Sequence, residues 1–204
     1  VGITSGAHVS AAVYYNSLTG TTTGQEFQGL TEFPLVWTPG FQYGEPVADA
    51  SGDITVPNGS TTMTLAPGKY RDVLLQPHST LTLINGGVYH LRNLWAKSDS
   101  KLLAAAASDL RVLGGLALDN GSTIGPANAS VTAKNIVFYV GTDDAHSSYS
   151  TAVNVSPKAF VSANIFAENG TILLNQETQA TGAFIGKKVV VGKYARVSLN
   201  SAFN

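Results

Sequence analysis

Residues 153–167 read VNVSPKAFVSANIFA, and residues 1–15 read VGITSGAHVSAAVYY, so one pattern stands near both ends of the chain without a gap. Val1, Ile3, Ala7, Val9, Ala11 and Val13 fall on Val153, Val155, Ala159, Val161, Ala163 and Ile165, and Ser10 falls on Ser162. On either side of the break at Ser5 and Pro157, apolar residues therefore meet apolar residues at alternate positions, the period at which a strand turns one side to a core. A pattern that returns marks a repeat architecture, in which each unit buries its apolar side only by stacking on the next.

Working outward, the shared template is apolar, any, apolar, three turn-like residues, small, any, apolar. It recurs with starts at 54, 73, 94, 116, 136, 153, 172 and 189, in steps of 17 to 22 residues, the copy at 136 being weak. A third short strand precedes most copies, at 68–70, 87–89, 110–112, 165–167 and 183–185. Even steps, period-2 alternation and three strands per step predict an all-β, single-domain parallel β-solenoid. It has about eight coils and a roughly triangular section. The variable coil length favours a right-handed course. Glycine-bearing stretches such as PNG, NGG, DNG and ENG suit corners that need positive φ. Residues 54–204 form the regular solenoid, 1–15 a separate first coil or assembly strand, and 16–53 an aromatic and proline-rich insertion containing TEFPLVWTPGFQY.

Composition narrows the function. Charged residues make up 12% of the 204, about half the usual ~25%. The formal net charge is −1, and no basic stripe exists to track phosphates, which argues against a nucleic-acid partner. No apolar run approaches the ~20 residues of a membrane span. The absence of cysteine removes thiolate metal sites, disulfides and cysteine nucleophiles together. No signal peptide opens the chain, and the expectation is an exported product whose signal has been removed.

The stretches LAPGKYRDVLLQPHSTLTLINGGVYHLRNL, IFAENGTILLNQETQATGAFIGKKVVVG and VSLNSAF resemble predicted β-solenoid domains of bacterial extracellular and cell-surface proteins, common in myxobacteria and their relatives. A looser similarity links the chain to the polymer-forming bactofilins. The resemblance covers about residues 53–203; it implies a solenoid and export, and it brings no catalytic residues. Residues 1–52 lie outside it.

The reading that follows is a non-enzymatic extracellular or cell-surface structural protein that assembles through its ends into fibres or a surface layer. Open solenoid ends expose unpaired backbone groups that invite further strands. Val1, Ile3, Val9 and Val13 are expected to pair with a coil edge, and Val189, Val191, Val197 and Leu199 to offer one, in the same chain or in a neighbour. The alternative is a carbohydrate-binding or adhesion module, with Trp37, Trp95 and Tyr149 as sugar-stacking aromatics and cell-surface polysaccharide as partner. A polysaccharide-active enzyme requires paired carboxylates. The only adjacent acids are Asp143 and Asp144 in GTDDAHSSYS, with His146 beside them, a weak metal or catalytic candidate whose ordinary reading is a solvated turn. No cofactor is implied. Hexapeptide acyltransferases require about three hexads per coil, and most coils here show one. Ice binding requires an unbroken threonine ladder, and Thr61, Thr62, Thr64, Thr80 and Thr82 find no counterparts at Leu94, Leu116 or Val153.

Overall fold

The computed structural model describes residues 1–10, 13–15, 18–23, 26–28 and 52–202. The chain from 52 onward winds through seven turns whose strands pair in parallel with the turns above and below. Each full turn has three faces. The first face carries 87–91, 108–112, Ile136–Val140, 164–167 and 184–186. The second carries Ile54–Val56, Asp72–Leu75, 93–96, 115–118, Val153–Val155, 171–174 and 188–191. The third carries Thr62–Leu65, Thr80–Leu83, Lys101–Ala104, Thr123–Pro126, Phe160–Ser162, Gln179–Thr181 and Arg196–Ser198.

The alternation read from the sequence places the core. Val73, Leu94, Leu116, Val153 and Ile172 point inward from the second face, and Leu81, Leu102, Ile124, Val161 and Ala180 from the third. Tyr89, Leu110, Phe138 and Ile165 fill the first face. All are nearly inaccessible to solvent, and burial of this kind contributes about 25 cal/mol per Å2 of apolar surface removed from water. Tyr89 keeps its hydroxyl satisfied by donating to the Asn85 carbonyl at 2.7 Å.

Two sequence expectations change in register. The copy at Ile136 is a first-face strand, and its turn reaches the second face only at Val153–Val155. The step from 116 to 153 is therefore a single long turn carrying an insertion, which is why seven turns, not eight, occupy 52–202. The threonines of the supposed ladder lie on the third face, except Thr61, which precedes the strand. Their partners in register are Lys101 and Leu103, Thr123 and Gly125, then Phe160 and Ser162. The ladder is broken by Lys101, Leu103 and Phe160 rather than at the second-face residues Leu94, Leu116 and Val153.

The corner between the second and third faces repeats one turn. The N–H of Ser79, Ser100, Ser122, Ala159, Thr178 and Ala195 donates to the carbonyl three residues back. The residue just before each has positive φ: His78 59°, Asp99 57°, Gly121 70°, Lys158 60°, Glu177 59° and Tyr194 60°. That conformation turns its own N–H toward the adjacent turn, as His78 to Ser98 at 3.1 Å and Lys158 to Gln176 at 3.0 Å. The corner ladder thus fixes left-handed backbone even at non-glycine residues, where it costs roughly 1–2 kcal/mol. Gly170 of ENG, by contrast, adopts no positive φ. A Cβ there would lie 2.2 Å from that of Ala152, so close packing is what requires glycine.

The N-terminal residues continue the stack beyond the last turn. Gly2–Ile3 pairs with Val190 and Val191 on the second face, and His8–Val9 with Arg196 and Val197 on the third. Thr19 then bridges Gly2, and Val13–Tyr15 pairs with Glu26–Gln28. These add an eighth and a ninth level to the seven turns. Trp37 and most of the insertion 16–53 lie outside the described residues.

Candidate functional site

The insertion of the long turn, residues 141–152, leaves the corner after the first face and lies across the outside of the second. Gly114 and Gly115 make its seat: a Cβ at Gly115 would come within 2.9 Å of Ser147 Oγ and of the Tyr149 ring, and one at Gly114 within 2.4 Å of Asn93 Oδ1. The strap is fastened at its base by Asp144. That carboxylate accepts from the Ala152 N–H at 3.0 Å, the Thr171 N–H at 2.8 Å and the Thr171 hydroxyl at 2.6 Å. Farther along, the Ser148 hydroxyl donates to Asn93 Oδ1 at 3.1 Å.

The strap brings together two residues that the sequence singled out separately. Tyr149 meets Trp95 edge to face, with ring centroids 5.5 Å apart. The Lys97 ammonium sits 3.0 Å above the Trp95 ring, and the indole N–H donates to Asp119 Oδ1 at 3.0 Å. Burial pushes the Tyr149 phenol up to about 12, with the charges of Asp72 and Asp119 adding to the shift. On the same side Arg92 makes a bidentate pair with Asp72, and Arg71 another with Asp53 at 3.1 Å. The Arg92 pair holds the Asp72 carboxyl below its usual range despite partial burial.

Asp119 links this aromatic pair to a groove of about 560 Å3 along the corner between the second and third faces. Ser98, Asn120, Lys158, Gln176 and Glu177 line it from four successive corners. Its side chains are polar apart from Pro157 and mixed in charge, while the surface they present is polar and apolar in similar parts.

The acidic pair of GTDDAHSSYS divides its roles. Asp144 is engaged by the backbone of its own strap and of the next turn. Asp143 pairs with His146 at 2.7 Å and also accepts that residue's N–H at 2.8 Å. Among the described residues no three histidines, acids or cysteines converge as a metal-binding group. The Asp143–His146 arrangement is the cap of a turn.

Asp144 gives the strap a pH dependence of known sign. Burial raises its pKa, but the hydrogen bonds from Thr171 and Ala152 lower it further, and the net shift is downward. A carboxyl depressed in the folded state contributes stability that is present above its unfolded pKa of about 4 and is lost as pH falls through the folded value. Strap docking, followed by near-ultraviolet circular dichroism of Trp95 and Tyr149, is expected to hold at neutral pH and weaken below about pH 4. An acid profile that Asp144→Asn leaves unchanged would contradict the fastening role.

The expected assembly residues meet at the other candidate surface. Ile3 stacks on Val191 and Val9 on Val197, all four side chains buried, with the Thr4 N–H donating to the Val191 carbonyl at 3.0 Å and the His8 N–H to that of Ala195 at 2.8 Å. Val1 and Val189 are partly buried against the same core. Leu199 is 57% exposed, and the Val13 strand pairs with Glu26–Gln28 one level out. The match between 1–15 and 153–167 singles out Ile3, Val9, Val191 and Val197, whereas no signal in the sequence points to Lys97 or Asp119 beside Trp95. Neither a protein-family model nor a curated protein matches the chain.

Proposed function

We propose that this chain is a non-catalytic structural module, exported to the cell surface or beyond, that builds fibres or a layer by stacking end to end on copies of itself. One observation carries the reading: the last turn receives, in register, a level formed by residues nearly the whole chain away in sequence. A solenoid end that completes itself with a non-adjacent segment can extend by backbone pairing and inward valines alone. The opposite end supports the same reading. Ile54–Val56 and Thr62–Leu65 each pair on one side only among the described residues, and Ile54 and Met63 there are only partly buried. Export rests on the resemblance to cell-surface solenoids. Light scattering over a concentration series, with negative-stain electron microscopy, tests the proposal. Unbranched fibres one solenoid wide are expected, and a 21.2 kDa particle at all concentrations would overturn it.

The Trp95–Tyr149 pair beside the corner groove favours a second role, the binding of neutral saccharide chains. Aromatic rings offer sugar rings an apolar platform, while Asp119, Asn120, Gln176 and Glu177 offer paired acceptors and amides for hydroxyls. In a Trp37→Phe background Trp95 is the sole indole, and its emission is expected to shift on adding neutral oligosaccharides. Trp95→Ala is expected to weaken binding up to about tenfold, the effect of losing an aromatic contact worth about 1 kcal/mol. An emission that ignores every oligosaccharide would remove this role and leave the structural one standing.

A further inference from the structure

We infer that in the stacked form neighbouring copies exchange residues 1–28, each chain placing its N-terminal levels on the last turn of the next molecule. This rests on the stacking proposed above and adds its connectivity. The inference comes from the phase of the winding. Within each turn the chain visits the first, second and third faces in order. Residues 2–3 lie on the second face and 8–9 on the third, and Thr19 returns to the second, so 13–15 and their partners 26–28, a two-stranded sheet of their own, take the first-face place in the winding. The next described strand, Ile54–Val56, is a second-face strand. The chain therefore leaves the N-terminal levels and enters the main stack at consecutive points of one winding.

Within a single copy those points are at opposite ends of the molecule. With nine levels about 4.8 Å apart, residues 28 and 52 lie roughly 38 Å apart along the stack. The 23 residues between them can reach about 75 Å, so the intramolecular route is open. In a head-to-tail stack, however, the outer level of one copy lies against the Ile54–Val56 edge of the next. If the connection is made there, residues 1–28 and 52–202 of one chain form an uninterrupted solenoid. Every contact of the terminal level is the same in both arrangements, the condition under which segments exchange between identical chains at little energetic penalty.

His8 and Arg196 are directly paired, exposed and outward-facing, and the chain has no cysteine of its own. Neighbouring parallel strands place paired Cα atoms within the 4.4–6.8 Å range that a disulfide spans. One preparation carries His8→Cys and another Arg196→Cys. They are mixed, unfolded and refolded together at assembling concentration, then oxidised and run on a denaturing non-reducing gel. A disulfide-linked dimer joining one copy of each is the expected product. A chain carrying both substitutions, treated alike, is expected to give a covalent ladder. Fibres without the mixed dimer, with the double variant migrating as a closed monomer, would overturn exchange and leave stacking intact. Neither fibres nor dimer would overturn both. Failure of even the double variant to form any disulfide would remove the terminal level itself.

Discussion

Asn164→Leu is expected to destabilise the solenoid by about 3–5 kcal/mol, because it leaves several buried backbone groups without partners at once. Asn164 is inaccessible to solvent. Its side-chain N–H donates to the Ala133 carbonyl at 2.6 Å, and its Oδ1 accepts from the Ala183 N–H at 2.9 Å and the Ala202 N–H at 3.0 Å. One amide thus ties the one-turn 3-10 helix Ala133–Asn135, which precedes the first-face strand of the long turn, to the start of the last turn and to the residues that follow it. Leucine keeps the branched outline but is larger and offers neither donor nor acceptor, so three hydrogen bonds go and its methyl groups crowd the backbone groups left behind. For a chain of this size the thermal midpoint should fall by about 10 °C. A midpoint within about 2 °C of the parent would show that water or a shifted backbone replaces the brace.

Val9→Asp is expected to release the N-terminal levels and abolish assembly while the seven turns stay folded. The Val9 side chain is 5% exposed against Val197, and its carbonyl accepts from the Thr23 N–H at 3.1 Å and the Thr22 hydroxyl at 3.0 Å. An unpaired carboxylate at that position costs several kcal/mol. The terminal level is held by two strands of two residues each, which cannot absorb such a penalty. The core of the main stack, from Val73 to Ile172, is made by other residues and has no need of it. The Thr4, His8 and Ser10 amides, bonded to the last turn in the parent, should exchange freely with solvent, while those of 93–96 and 115–118 stay protected. A Val9→Asp chain that assembles like the parent would mean that the joint lies elsewhere.

The solenoid was legible because its period is written in side chains. Ile3, Val155, Leu174 and Val191 share one inward position, and the match between 1–15 and 153–167 reads that position directly. What the sequence concealed follows from features that carry no periodic signal. Left-handed corners at His78, Lys158 and Tyr194 are imposed by the hydrogen-bond ladder, so a search for glycine finds only some of them. The threonines at 62, 64, 80 and 82 follow template starts on the second face, whereas their neighbours are set by third-face pairing with 101 and 103. The Trp95–Tyr149 contact depends on an insertion folding over two glycines, an event that neither aromatic announces. The N-terminal levels are recognisable as coils from sequence, with Val191 and Val197 as the edge they can pair with, but the outer pairing of Val13–Tyr15 with Glu26–Gln28 carries no repeat signal.

The most direct test of the account is the axial repeat of the assembled material, measured by fibre diffraction or helical reconstruction. Stacking of all nine levels predicts strands perpendicular to the fibre axis at about 4.8 Å and one subunit every 43 Å or so along it. A subunit repeat unrelated to nine levels, or strands running along the fibre axis, would contradict assembly through the solenoid ends.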